Sequence, residues 1–120
     1  MDEQLDDATS QLRVVVERQR QDADPSHEDF YAWGWALTEV TARLEHLSRV
    51  LAGQVGRYGD ARVLRDDEGA DPAARLAEAR GHLTALESAL RAANGAARAY
   101  HSAAGHIAVE VDSQREGGAR

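Results

Sequence analysis

From Phe30 onward the large apolar residues fall at Trp33, Leu37, Val40, Leu44, Leu47 and Leu51, an unbroken alternation of three- and four-residue steps. Such steps stay close to the 3.6-residue turn of an α-helix, so these side chains share one face and form the seam of a helix packed along another helix. The same spacing returns at Leu76, Ala79, Leu83, Leu86, Leu90, Ala93, Ala97, Tyr100, Ala104, Ile107 and Val111. Period-two alternation appears only weakly, at Val109 and Val111. The fold class predicted is therefore all-α: three helices, built on a long, coiled-coil-like antiparallel hairpin with an additional N-terminal helix.

Boundaries come from local chemistry. Both prolines follow an aspartate, in Asp24-Pro25 and Asp71-Pro72. Aspartate caps the first N–H groups of a helix, and proline at the first helical position gives up an N–H that had no partner. Ser26 with Asp29 is a competing cap for the middle helix. Leu5, Ala8, Leu12, Val15 and Val16 continue the helical period in front, weakened by the β-branched run 14–16. The expectation is one domain, 1–120, with helices at about 3–21, 26–56 and 72–113, a loop at 57–71 and a flexible tail at 114–120. Gly81, Gly95 and Gly105 each cost the last helix only about 1 kcal/mol. One continuous helix is accordingly preferred over a turn at Asn94-Gly95, although Asn-Gly is a genuine turn signal.

Folding the two long helices back on each other pairs residue numbers summing to about 130. Trp33 then meets Ala97, Leu37 meets Ala93, Val40 meets Leu90 and Leu47 meets Leu83. The last helix, roughly 60 Å long against about 45 Å, overhangs with Ile107 and Val111, to be covered by the first helix or by a second chain. Tyr31 and Trp35 fall on the side away from this seam, as a binding patch or as the seat of the first helix. A stripe of small residues, Ala85, Ala89, Ala92, Ala96, Ala99 and Ala103, runs beside the apolar seam of the last helix. Alanine is the best helix former, which would explain the stripe by itself. From Ser88 to Val109, however, only Arg91 and Arg98 carry a full charge, which favours a contact surface. Tyr31, Trp35, the six alanines, Ile107 and Val111 are thus the interface expected from sequence, in a homodimer completing a four-helix core.

Composition narrows the chemistry. The chain of 120 residues has no cysteine and no lysine, its 14 cationic residues all being arginine. Thiol and Schiff-base nucleophiles and the phosphate-binding loop that ends in Lys-Ser or Lys-Thr are excluded. Serines stand in no triad spacing, and no enzymatic activity is expected. Among five histidines no two share a helical face at three- or four-residue spacing; His46 and His82, with Glu78, come nearest to a metal constellation, and neither metal nor cofactor is expected. The acidic loop around Asp66 fails the calcium-loop pattern, because Leu64 and Arg75 occupy the first and twelfth positions. With a net charge of −7, nucleic acid is not the expected partner; the runner-up function, nucleic-acid association through a local arginine face, would use Arg13, Arg18 and Arg20 with Arg43 or Arg49. The acidic N-terminus is unlike a signal peptide and no stretch reaches the roughly 20 apolar residues of a membrane span, so a cytoplasmic, membrane-free protein is expected.

Two families share fragments of this pattern. Arg75 and His82 have a spacing similar to the Arg-x6-His motif of helical ribonucleases of the HEPN type, but Leu76 stands where that family has a polar residue. In length, paired seams and lack of cysteine the chain resembles the WXG100 secretion substrates, which implies a secreted helical hairpin. It departs from them in placing Trp33-Gly34-Trp35 inside a helix and Ala104 four residues after Tyr100, where the family carries an acid. The function expected is a self-associating helical module for protein–protein interaction, assembly or regulation.

Overall fold

A computed structural model describes residues 2–107, which fold into three helices: α1 (Glu3–Gln21), α2 (His27–Arg57) and α3 (Pro72–Gly105). No strand is present among the described residues. Each helix begins on a side-chain cap. The Asp2 carboxylate accepts from the N–H groups of Gln4 and Leu5. Ser26 and Asp29 form a reciprocal capping box, at 3.0 and 3.4 Å, and this pair rather than Asp24-Pro25 opens α2 because it satisfies two backbone donors at once. Asp71 accepts from the Ala73 N–H, with Pro72 in the first turn.

α3 runs unbroken through Asn94-Gly95. A contact explains this: Asn94 Nδ2 donates to the Thr38 carbonyl at 2.8 Å and to Thr41 Oγ1 at 3.0 Å, so its side chain binds α2 instead of closing a turn. The helix ends at Gly105, short of the expected 113, where the His106 and Ile107 N–H groups tighten onto Ala103 and Ala104. Val111 lies outside the described residues.

α2 and α3 form the antiparallel hairpin expected; on α3 the predicted Leu76, Leu83, Leu90, Ala97 and Ala104 do line the seam, but on α2 the seam is not the one the apolar spacing predicts. The buried residues of α2 are Gly34, Ser48 and Ala52; those of α3 are Ala97 and Ala104. A Cβ on Gly34 would lie 2.7 Å from His101 Cα, and one on Gly59 would lie 3.3 Å from Leu76 Cδ1, so facing residue numbers sum to about 135 rather than 130. α2 is rotated roughly 100° from the predicted orientation, the angular step of one helical residue. It turns Gly34, Thr41, Ser48 and Ala52 toward α3, while the leucine stripe moves to the flank. Small residues win the seam because they let the backbones approach. Tyr100 Oη donates to the Phe30 carbonyl at 2.9 Å, and His101 Nδ1 lies 3.0 Å from the Tyr31 carbonyl.

α1 buries no residue. The Trp33 Nε1–H donates to Gln19 Oε1 at 3.1 Å, beside an open cleft lined by Val15 and Arg18 of α1 and Ala32 and Ala36 of α2. The second half of α1 thus faces the first turns of α2, while the leucine stripe from Leu37 to Leu51 stays exposed.

Candidate interaction face

The two flanks of the α2–α3 seam have opposite chemistry. On one, Glu45 and Arg49 of α2 and Glu87 and Arg91 of α3 close a ring of ion pairs: Arg49 lies 3.7 Å from Glu45 and 3.2 Å from Glu87, and Arg91 lies 3.4 Å from Glu45 and 3.1 Å from Glu87. Each carboxylate thus meets one guanidinium on its own helix and one across the hairpin, and both acids are well covered. A network of this kind fixes register more than an isolated surface pair would.

On the other flank there is no such network. Phe30, Leu37, Leu44 and Leu51 recur every seven residues along α2, and Val40 and Leu47 extend the stripe outward. Phe30 is 44% exposed, Leu44 38% and Leu47 39%. α3 adds Leu86 and Tyr100, and the bond from Tyr100 to the Phe30 carbonyl shows that both helices contribute to one continuous face. No large side chain of the described residues is fully buried. A face of this size, whose Tyr100 hydroxyl is already bonded to the Phe30 carbonyl, has one chemical capacity, to bury itself against another apolar surface.

The residues expected at an interface are divided by the structure. Tyr31 stacks on His101 with ring centroids 4.3 Å apart and packs over Gly105, so it helps close the open end of the hairpin. Trp35 is 61% exposed, on the side of the ion-pair ring. The six alanines are all exposed. Ala85, Ala92 and Ala99 lie on the back of α3, two residues on from seam positions, whereas Ala89, Ala96 and Ala103 border the apolar face. Ile107 is exposed just beyond the helix end. What spacing alone misses is the status of Phe30, Leu37, Val40, Leu44, Leu47 and Leu51, assigned to the hairpin seam and found outside it. A second stripe on α2, Gly34-Thr41-Ser48 with Ala52, was the available signal.

The candidate chemical sites are tied up in local pairs. Asp66 accepts from Arg75 Nε at 2.9 Å and from the N–H groups of Glu68 and Ala70, and Arg75 also meets Glu68 and Glu78. The Arg75 guanidinium, followed by the Ala70 N–H, holds the Asp66 carboxyl down at about 2. The acidic loop is thereby folded onto the start of α3. His82 stands 3.9 Å from Glu78, and among the described residues no three acidic or histidine side chains converge as metal ligands. Arg20, Arg43 and Arg49 are each paired with a carboxylate. No described helix is long and apolar enough to cross a membrane. Comparison with protein-family models, with curated proteins and with solved structures finds no match for this chain.

Proposed function

We propose that the protein is a helical assembly module that works by self-association through the apolar face shared by α2 and α3, with a structural or adaptor role instead of a catalytic one. The carrying observation is the contrast between the flanks: large apolar side chains at seven-residue intervals stand exposed from Phe30 to Leu51, while the opposite flank closes its charges on itself. The acidic, cysteine-free sequence supports a cytoplasmic setting as part of the same reading. Trp35, on the other side of the hairpin, is left for a further protein partner.

The test is the self-association constant of Leu44→Asp and of Ala92→Asp, each against the natural chain. A buried unpaired carboxylate costs several kcal/mol, so Leu44→Asp is expected to weaken association at least 100-fold while Ala92→Asp stays within a factor of about three. Equal effects of the two, or none from Leu44→Asp, would refute the reading.

A further inference from the structure

We infer that the occupant of the apolar face is a second copy of this chain, seated so that the leucine stripe of α2 lies over α3 of its partner, about a two-fold axis parallel to the helices. The inference rests on the self-association reading above and adds the orientation and register of the partner.

Size, bulk and charge support it. The stripe from Phe30 to Leu51 runs for about 32 Å at 1.5 Å per residue. Its side chains with Leu86 and Tyr100, each some two-fifths exposed, offer roughly 600 Å² per chain, about 1,200 Å² over two copies, which reaches the range of stable interfaces. The bordering alanines add to that. On α2 every position of the face is large, whereas on α3 Leu86 and Tyr100 are separated by Ala89, Ala93 and Ala96. Large residues over small ones fill space, while α2 over α2 would crowd leucines together and leave alanines facing alanines across a gap. None of the stripe residues, nor Leu86 and Tyr100, carries a charge to be buried against its own copy, and the ring of Glu45, Arg49, Glu87 and Arg91 lies on the other flank.

An axis parallel to the helices leaves residue heights unchanged, so the sum of about 135 that governs facing positions within the chain also governs pairs between copies. Leu47 is then placed over the partner's Ala89, and Val40 over the partner's Ala96. Within one chain these positions lie at the two outer edges of the apolar face, pointing away from each other.

The natural chain has no cysteine, so single-cysteine variants report contacts without background. Leu47→Cys and Ala89→Cys, purified separately, mixed and oxidised, are expected to give a disulfide-linked heterodimer, as are Val40→Cys and Ala96→Cys. Each of the four oxidised alone is expected to give less than a tenth of that yield. Two pairs are used so that a variant with lost helicity does not decide the result. Strong self-linking of Val40→Cys would overturn the arrangement in favour of α2 over α2, while leaving self-association standing. Self-linking of Ala92→Cys above the mixed pairs would overturn it in favour of the back of α3. A natural chain that remains monomeric would refute both the arrangement and the function on which it rests.

Discussion

Gly34 is where the hairpin is closest. A Cβ there would meet the Cα, Cβ and Nδ1 atoms of His101, all at 2.7 Å. Ordinary van der Waals contact begins near 3.4 Å, so Gly34→Ala must push the helices apart by several tenths of an ångström or more. One of the opposing atoms is backbone and cannot rotate away. Overpacking of this kind costs about 1–3 kcal/mol, set against the roughly 1 kcal/mol that alanine gains over glycine inside a helix. Gly95→Ala supplies the control: a Cβ there meets nothing within 4 Å, so that variant keeps the helical gain alone. Urea denaturation followed by helical circular dichroism, at one fixed protein concentration, should place Gly34→Ala below Gly95→Ala by about 1–3 kcal/mol. Gly95→Ala itself should exceed the natural chain by up to about 1 kcal/mol. If the two variants are equally stable, α2 does not turn its small residues toward α3 and the seam described above is wrong.

Two further outcomes follow from named contacts. Asn94→Ala removes the bonds to Thr38 and Thr41, and should lower stability in the same urea assay by about 1–2 kcal/mol; no loss would mean that Asn94 does not register the helices. Because the folded-state pKa of Asp66 is depressed from 3.8 to about 2, its contribution is present above about pH 4 and disappears as pH falls toward 2. A carboxyl titration followed by NMR should show this midpoint, and Arg75→Gln should move it up toward the ordinary carboxylate value; an unchanged midpoint would refute the assignment of the shift to Arg75.

The elements themselves were legible because their signals are local. The bounds of α1, the Ser26 box, the Asp71-Pro72 start and the continuity of α3 all follow from caps and periodicity. The rotation of α2 was not, for a physical reason. A helical period establishes which residues share a face, and α2 carries two such stripes, one of Phe, Leu and Val and one of Gly, Thr, Ser and Ala. Ranking them by apolar bulk selects the leucine stripe for the seam, yet close backbone approach at Gly34 and Ala52 favours the small one. Asn94 and Tyr100 reinforce that choice through bonds to backbone carbonyls, which an apolar pattern does not register. The same reversal moved the candidate site: residues read as core are the exposed face, and Tyr31, read as a contact for a partner, closes the hairpin on His101.

The claim that this face is made to be covered by another copy is tested most directly by sedimentation equilibrium of the natural chain over a wide concentration range. The account predicts a mass that rises to twice the 13.0 kDa of the chain and stops there, since a two-fold arrangement buries the face on both copies and leaves none to recruit a third. A mass that stays at 13.0 kDa at every concentration would contradict it.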